Sequence, residues 1–346
     1  MYDIFSKMYL ALFDTRASIS PRAVDTRTRN MKITADRESI TRAADIIRRG
    51  GLVAFPTETV YGLGADALNA VAAAGIFEAK GRPRFDPLIV HIAGTDALPL
   101  LAERPHPLAE KLIDAFWPGP LTVVLPKSAA VPDIVTAGLG TVALRMPAHP
   151  VARELIALSG TPIAAPSANP FGFISPTTAE HVERQLGDRV EMILDGGPCS
   201  VGVESTIIAF GDTGPRLLRP GGLALEEIEA IIGPVATALT SGVEAPGQLP
   251  SHYSPRTPVI ILDDRVVAAE GAAYLAFRKP PAGGSYAKVE VLSPRGDLRE
   301  AAARVFSALH SLDASGAPVI VAEPVPEIGL GLAIMDRLRR AAKKNP

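Results

Sequence analysis

Two short apolar segments, at residues 52–55 and 88–92, enclose a polar stretch that constrains the fold of this chain more than any other. Each segment has the length and composition of a buried β-strand. Between them lie a hydroxyl-rich turn at 56–59, two closely spaced glycines and three cations. Glycine exposes backbone amides, and amides and cations both attract negative charge. The stretch therefore predicts a site for an anionic ligand such as a nucleotide triphosphate.

The two glycines, Gly62 and Gly64, belong to a loose match to the dinucleotide-binding fingerprint. That fingerprint needs its first glycine directly at the end of a strand, whereas six residues separate Phe55 from Gly62. We therefore reject a dinucleotide loop. Instead, we expect the two glycines to form a bend that presents Thr59 to a ligand.

The three cations, Lys80, Arg82 and Arg84, come just before the second apolar segment. A run of like charges is usually a solvated surface. Here Gly81 and Pro83 interrupt the run, so that no single helix face carries it. A loop before a buried strand is also a common place for ligand contacts. These residues alone do not decide between a solvated run of charges and a loop that contacts a ligand.

Arg145 is unusual because it lies inside the apolar segment 142–146. A buried guanidinium is costly unless an anion pairs with it. That anion is either a ligand carboxylate or an Asp or Glu of the same protein, and the sequence does not choose between them. His91 alternates with Ile89 along its strand, and a lone histidine there is more often a packed side chain than a ligand contact.

Composition predicts an ordinary folded protein of two domains, or one large domain with an appendage. The 346 residues are 47% hydrophobic and 21% charged, with a net charge of −2 that gives no global attraction to nucleic acid or membrane. No apolar run approaches the length of a membrane span. The single cysteine, Cys199, excludes an internal disulfide and a multi-cysteine zinc site, and no histidine spacing suits a metal. We expect a cytoplasmic protein without a side-chain metal site.

Helical and strand patterns together predict an α/β (α+β) fold with an open, twisted, mixed sheet and helices. A smaller α/β domain with Rossmann-like layering follows it. Between the two, all periodicity is lost, which predicts a linker or an active-site lid. The expected parts are a disordered tail or an upstream start codon at 1–30, with a transit peptide as the alternative, a first domain at 31–232, the linker at 233–258 and the second domain at 259–346.

Eight motifs, taken in order, resemble those of the YrdC-like threonylcarbamoyl-AMP synthases. They are PTETVYGLG, KGRP, DPLIVHI, PGPLTVVL, VALRMP, APSAN, ESTII and LRPG, within residues 36–225. The segments APGQLPSHYSP and GLGLAIMDRLRRAA resemble the longer branch of that family, which has a linker and an extra C-terminal domain. Single motifs such as APSAN are typical of turns, whereas eight in order form a highly specific signal.

The resemblance implies that the first domain has the YrdC-like fold and that the protein is a nucleotidyltransferase. In the implied reaction L-threonine, bicarbonate and ATP give threonylcarbamoyl-adenylate and pyrophosphate, for threonylcarbamoyladenosine modification of tRNA. It implies Mg²⁺ with ATP, held mostly by phosphates and water. The partners it implies are a downstream tRNA-modifying transferase complex and tRNA itself through a weak contact, with no membrane.

Positions in the matching motifs carry the family's residue roles over to this chain. Lys80 and Arg82 match the phosphate-binding motif and are the expected catalytic residues, acting through charge stabilisation. The expected ATP contacts are Lys80, Arg82, Asp86, Thr141, Ser167, Asn169, Ser175, Arg219 and Tyr253. The expected L-threonine contacts are Thr59, His91, Arg145, Ala165 and Ser205, with Arg145 paired to the substrate carboxylate.

Two positions depart from the family pattern. Asp86 stands where Asn is common, and because an acid repels triphosphate we expect it to point away or to use only its backbone. Ser251 replaces a basic residue before His252 and Tyr253. The tyrosine is expected to reach over the active site as part of a closing lid. The alternative is an inert tether whose aromatic ring packs on the nearer domain.

Two other functions stay open. One is a non-catalytic RNA-binding protein, because YrdC-like domains present a basic groove. The near-neutral charge and the absence of aromatic residues interleaved with cations argue against it. The other is a carbamoyl-transfer maturation factor. The single cysteine argues against that function, because the related proteins carry cysteine-rich zinc fingers.

Overall fold

The computed structural model describes residues 31–103, 105–211, 214–237, 244–247, 253–262, 270–280 and 285–343. The predicted tail at 1–30 and the linker residues Ser251 and His252 lie outside the described residues. Within the described ranges the strands form two sheets, one of ten strands and one of four.

The ten-stranded sheet is mixed and open, as predicted. For example, β4 pairs in parallel with β6, whereas β2 and β3 are antiparallel. In space the strands follow the order β1-β8-β2-β3-β7-β4-β6-β5-β9-β10. In chain order they are β1 (Met31–Thr34), β2 (Val53–Phe55), β3 (Gly62–Asp66), β4 (Ile89–His91), β5 (Leu121–Pro126), β6 (Thr141–Arg145), β7 (Ile163–Ala164), β8 (Met192–Asp195), β9 (Thr206–Gly211) and β10 (Gly214–Arg219).

Helices connect these strands and begin at local signals in the sequence. Asp36 caps the first helix by accepting the Ser39 amide, and Asn69 caps the second in the same way. The second helix ends at Gly81, whose φ of +61° lies in the left-handed region that glycine adopts without strain. The helices are α1 (Arg37–Arg48), α2 (Ala70–Lys80), α3 (Leu98–Leu101), α4 (Pro107–Phe116), α5 (Asp133–Thr136), α6 (Pro150–Ser159), α7 (Ala179–Leu186) and α8 (Leu225–Ile232).

The prediction that Gly62 and Gly64 form a bend was wrong, because both lie in strand β3. A Cβ atom on Gly64 would stand 2.7 Å from Cε1 of Phe55 and 2.8 Å from Cγ2 of Ile163. Glycine is therefore required by the close packing of neighbouring side chains on this strand, not by a turn. The strand also supports the next motif, since the Leu63 amide donates to the Pro166 carbonyl at 2.8 Å.

The four-stranded sheet is parallel throughout and carries helices, as its sequence pattern predicts. Buried apolar residues of its two long helices, such as Val305 and Leu338, pack in one core with its strands. Its elements are β11 (Val259–Ile261), β12 (Ala273–Ala276), β13 (Lys288–Val291), α9 (Leu298–Asp313), β14 (Ile320–Ala322) and α10 (Gly331–Ala342). No helix in the described ranges is both long enough and apolar enough to cross a membrane.

The two sheets are joined by a shared apolar core. Val60 and Val203, from loops of the first part, pack in one cluster with Tyr253 and with Phe306 of α9. Gly202 approaches α9 so closely that a Cβ atom there would lie 2.4 Å from the Cα atom of Ala303. The second sheet thus packs directly against the loops that carry the predicted motifs. The predicted domain limits at 232 and 259 stay a proposal.

Candidate active site

A cavity lies where strands β4, β6 and β7 meet the linker. Its walls come from motifs far apart in the sequence, because the sheet order brings their strands together. Nine of the predicted site residues line it: Thr59, Arg82, His91, Arg145, Ala165, Ser167, Ser205, Arg219 and Tyr253.

The register of β4 against β6 sets one end of this cavity. His91 lies opposite Arg145, and Ile89 lies opposite Ala143. Paired residues of adjacent strands project to the same face of a sheet, so this face carries an imidazole beside a guanidinium. The Ala165 amide donates to the Ile89 carbonyl at 2.9 Å, which brings the segment after β7 to the same place.

Arg145 has partners within the protein. Its Nη2 atom donates to Oε1 of Glu58 at 2.7 Å, and its Nη1 atom donates to Oγ1 of Thr59 at 2.8 Å. The Glu58 carboxylate also accepts the Ala148 amide at 3.1 Å. Of the two partners that the sequence left open, an acid of the same protein is therefore present. The burial of Arg145 does not by itself require a substrate carboxylate.

His91 is neutral in this setting. Burial, followed by the nearby charge of Arg145, lowers the pKa of His91 to about 3. Its Nδ1 atom is buried and has no hydrogen-bond partner among the described residues. Because His91 lines the cavity, it presents a neutral imidazole to a ligand there.

Arg219 joins three segments of the cavity wall. Its Nη2 atom donates to the carbonyl oxygen of Ser205 at 2.9 Å and to the Ser205 hydroxyl at 3.1 Å. Its Nη1 atom donates to the carbonyl of Pro246 in the linker at 3.1 Å. The hydroxyls of Ser205 and Thr122 are 2.7 Å apart. This arginine thereby holds the ESTII loop and the linker in fixed relation to β10.

The basic motif is buried, not solvated. Lys80 and Arg82 are only 2% and 7% exposed, whereas Arg84 is exposed. The Lys80 ammonium donates to the carbonyl oxygens of Ser167 and Asn169. Burial and the neighbouring Arg82 hold the pKa of Lys80 well below its usual value. The interpretation as a solvated run is therefore wrong for two of the three cations.

Asp86 is turned towards Arg82. Its Oδ2 atom lies 2.9 Å from Nη2 of Arg82, and its carbonyl oxygen accepts from the arginine Nε at 3.1 Å. The same guanidinium donates to the Pro87 carbonyl at 2.8 Å. The acid thus neutralises a buried cation beside the cavity and does not line the cavity itself.

Five predicted contacts surround the cavity without lining it: Lys80, Asp86, Thr141, Asn169 and Ser175. Thr141 lies on the same strand face as Arg145 by alternation, but at the other end of β6. Asn169 donates from Nδ2 to the carbonyls of Pro170 and Phe173, both at 2.9 Å. Ser175 donates to Oε1 of Glu204 at 2.5 Å. Their ligand contacts stay predictions.

The linker supplies a wall of the cavity. Tyr253 is 1% exposed and lines it together with Gly247. Tyr253 has a φ of +64°, a strained conformation for a bulky residue, and its ring lies 5.5 Å from the ring of Phe306. A Cβ atom on Gly247 would stand 2.6 Å from the Tyr253 hydroxyl oxygen. The linker thus packs into the wall of the cavity, and its closure as a lid stays a prediction.

Sequence reasoning missed two acids and one arginine. Glu58 and Glu204 lie inside motifs that were recognised, but their partners are set by tertiary structure. Arg337 of α10 was missed altogether, and its Nε atom donates to Oε2 of Glu204 at 2.9 Å. A signal existed, because Arg337 falls at the helical spacing of the buried residues Ile334 and Ala341.

The acids near the cavity are paired with arginines. Glu58 pairs with Arg145, Asp86 with Arg82, and Glu204 with Arg337. In the part of the chain that the structure describes, no group of three or more His, Cys, Asp or Glu side chains is placed to hold a metal ion. The side-chain chemistry of the cavity is thus that of cations and hydroxyls.

Comparison with known proteins agrees with this geometry. The Sua5–YciO–YrdC family model, described as telomere recombination, matches residues 45–221, and the threonylcarbamoyl-AMP synthase C-terminal domain matches residues 223–343. The threonylcarbamoyl-AMP synthase of Pyrococcus abyssi is 47% identical over 90% of this chain and 96% of its own length. The chain belongs to the threonylcarbamoyl-AMP synthase family. The resemblance found in the sequence is therefore confirmed.

Other members of the family are nearly as similar. The Bacillus subtilis threonylcarbamoyl-AMP synthase is 44% identical over 90% of this chain and 95% of its own length. The Schizosaccharomyces pombe relative is 38% identical over 88% of each chain. The crystal structure of P. abyssi Sua5 complexed with L-threonine covers 91% of this chain and 97% of its own, with a TM-score of 0.82 and 44% identity. The similarity thus extends over both sheets.

Proposed function

We propose that this protein is a threonylcarbamoyl-AMP synthase that makes threonylcarbamoyl-adenylate and pyrophosphate from L-threonine, bicarbonate and ATP, for modification of tRNA. One observation carries the proposal. Three arginines, Arg82, Arg145 and Arg219, converge with threonine and serine hydroxyls on one cavity that the linker walls off. This donor set suits a triphosphate and an amino acid held side by side.

The two substrates are assigned to opposite ends of the cavity. L-threonine is placed at Thr59, His91 and Arg145, where hydroxyl, neutral imidazole and guanidinium lie together. The two terminal nitrogens of Arg145 have two hydrogens each, and the contacts to Glu58 and Thr59 use one on each nitrogen. A carboxylate can therefore add to this pair. The P. abyssi relative was crystallised with L-threonine, which supports an amino-acid site in the family.

ATP is placed at the end that holds Arg82, Ser167 and Arg219. Lys80 secures the Ser167 loop, which lines the cavity, by donating to the backbone carbonyls of Ser167 and Asn169. Mg²⁺ bound with ATP would supply positive charge that stabilises the phosphate oxygens. Because the acids beside the cavity already pair with arginines, phosphates and water would supply the metal ligands.

The chemistry needs positioning and charge stabilisation. The threonine amine and bicarbonate form a carbamate and release water. A carbamate oxygen then attacks the α-phosphorus, the bond between the α-phosphorus and the bridging oxygen breaks, and pyrophosphate leaves with that oxygen. Negative charge develops on phosphate oxygens, where arginines lower its energy. Cys199 is not suited to act as a nucleophile, because burial holds the pKa of its thiol far above the usual range.

The decisive experiment measures pyrophosphate release and adenylate formation with the complete substrate mixture and with each substrate omitted. We expect both products only when threonine, bicarbonate and ATP are present together. Pyrophosphate release that is independent of threonine and bicarbonate would refute the proposal and would favour another use of ATP. The cytoplasmic location, the downstream transferase and the weak tRNA contact stay predictions.

A further inference from the structure

We infer that Arg337, on helix α10 of the C-terminal part, is a positioning residue of the active site. It holds the Glu204 carboxylate and the Tyr253 ring in the cavity wall, so that the C-terminal part takes part in substrate binding and in retention of the adenylate. The inference rests on the proposed function for its kinetic consequences, but its structural consequence can be measured without substrate.

Arg337 reaches the cavity wall from the second sheet. Its side chain is fully buried, although it belongs to a helix of the C-terminal part. The Nε atom donates to Oε2 of Glu204 at 2.9 Å, and the Nη1 atom donates to the Pro220 carbonyl at 2.8 Å. The Cζ atom lies 5.1 Å from the centre of the Tyr253 ring. One guanidinium thus contacts the ESTII loop, the segment after β10 and the linker.

The contact with Glu204 has an electrostatic consequence for the substrates. Glu204 lines the cavity that receives the anionic ligands, and an unpaired carboxylate there would repel a triphosphate. Arg337 compensates this charge from behind the wall, while Ser175 donates to the other carboxylate oxygen at 2.5 Å. The carboxylate is thereby fixed in position, and its charge is balanced.

The contact with Tyr253 has a separate, steric consequence. The guanidinium and the ring of Phe306, which come from α10 and α9, both pack on the tyrosine. The hydroxyl end of the tyrosine lies against Gly247, which also adjoins Arg219. A residue held at positive φ needs such support from its surroundings. Loss of Arg337 should therefore loosen the linker wall as well as unbalance Glu204.

Three variants separate these two effects. Arg337→Gln removes the charge and the cation–ring contact. Arg337→Lys keeps the positive charge but lacks the planar guanidinium group. It serves as a second variant should Arg337→Gln fold poorly. The double change Arg337→Gln with Glu204→Gln removes both charges together. Arg339→Gln is the matched control, because Arg339 lies on the same helix in an exposed pair with Glu327.

We expect Arg337→Gln to raise the KM for ATP at least about tenfold and to lower the yield of adenylate per pyrophosphate, whereas the KM for threonine changes less. A tenfold change corresponds to about 1.4 kcal/mol. The double variant should restore the KM for ATP but not the yield, because the tyrosine still lacks its support. The KM for ATP and the adenylate yield of Arg337→Lys should lie between those of the parent protein and of Arg337→Gln. Arg339→Gln should match the parent protein in both quantities.

Hydrogen exchange of the linker amides of Glu244, Ala245, Gly247, Tyr253 and Ser254, measured without substrate, tests the same inference independently of activity. Exchange should be faster in Arg337→Gln than in the parent protein and unchanged in Arg339→Gln. If folded Arg337→Gln and Arg337→Lys keep the parent exchange rates, the inference is overturned, whether or not pyrophosphate release is observed. Faster amide exchange in Arg337→Gln, together with pyrophosphate release that is independent of threonine, would instead overturn only the proposed function.

Discussion

At the scale of single residues, the cavity is built from buried arginines whose charges are balanced in different ways. Arg82 and Arg145 pair with acids, whereas Arg219 donates to the carbonyls of Ser205 and Pro246 and to the Ser205 hydroxyl. Removing one member of a buried pair leaves an uncompensated charge that costs about 3–5 kcal/mol. Substitutions that test these residues should therefore change hydrogen bonding while leaving the charge pairs intact.

Thr59→Val is such a substitution. It keeps the β-branched shape but removes the hydroxyl that accepts from Arg145 and lies 2.8 Å from the Thr57 hydroxyl. Leaving a buried donor unsatisfied costs about 1–3 kcal/mol. We expect the KM for threonine to rise at least about tenfold, with the KM for ATP nearly unchanged, in steady-state pyrophosphate assays. An equal rise in both constants would contradict the placement of threonine at this end.

Gly247→Ala tests the linker wall without altering any charge. The added Cβ atom would lie 2.6 Å from the Tyr253 hydroxyl oxygen and 3.2 Å from the Arg219 side chain, on a backbone with φ of +82°. The tyrosine must therefore shift away from the cavity. We expect the yield of adenylate per pyrophosphate to fall while the protein stays folded. Gly233→Ala, at a positive φ with open space around its Cβ position, serves as the control for backbone strain.

Nine of the residues predicted from the sequence line one cavity, but the sequence did not predict the partners of its arginines. Arg145 stood out because it is a charge inside an apolar strand. Its partner Glu58 adjoins a recognised site residue in the sequence, yet only the fold determines whether that carboxylate reaches Arg145 or solvent. Arg337 lies 133 residues after Glu204 in the chain. Its helical spacing predicts burial, but no local pattern predicts which acid it contacts.

At the scale of elements, the apolar segments predicted as strands at 52–55 and 88–92 contain the observed β2 and β4. By contrast β3, with the sequence GLGAD, was interpreted as a bend because glycine is depleted in strands. The physical reason for its glycines lies in Phe55 and Ile163, which only the sheet order brings beside Gly64.

Gly64→Ala should therefore destabilise the protein. The new methyl group would meet Phe55 and Ile163 at less than 3 Å, and overpacking of this kind costs about 1–3 kcal/mol. The measurement is urea unfolding followed by circular dichroism. Gly140→Ala is the matched control, since no atom lies within 4 Å of its Cβ position. Equal stabilities of the two variants would contradict the packing argument.

Helices α7 and α9 meet through a stacked histidine pair that predicts a pH dependence of stability. The rings of His181 and His310 are 3.9 Å apart, and burial lowers their pKa values to about 3 and about 4. Nearby Arg184 disfavours protonation further, whereas Asp313 and Glu180 favour it. Both folded-state values lie below the unfolded value of about 6.5.

The stabilising contribution of this pair is thus complete above about pH 6.5 and is lost as the pH falls towards 4, because the unfolded chain then binds more protons. The slope is at most about 1.4 kcal/mol per pH unit for each histidine. Urea unfolding at several pH values should show the free-energy difference between the parent protein and His310→Gln shrinking towards acid pH. Parallel curves would exclude a role for the pair.

At the scale of the whole molecule, the two sheets were predicted from the sequence but their contact was not. The layering of each part follows from its own periodic pattern. The contact involves loop residues such as Val60 and Val203, which lie inside functional motifs and show no periodicity. The same short loops thus contribute to the cavity and also pack against the second sheet. A pattern along the sequence cannot reveal that one loop has both roles.

Removal of the C-terminal part should therefore destabilise the remainder. A chain of residues 31–232 would expose Val60, Ile174 and Val203, which pack with the second core in the full chain. We expect thermal unfolding at least about 5 °C below that of residues 31–346, together with increased binding of a hydrophobic dye. An unchanged midpoint would show that the shared core contributes little to the stability of the first part.

The linker also has a consequence for assembly. Because Tyr253 and Arg337 belong to the same polypeptide as the sheet they support, their local concentration at the cavity is set by the tether and is on the order of millimolar. A wall that opened for product release would therefore re-form without a search through solution. Two separate chains would keep this behaviour only if the Kd of their complex were well below that concentration.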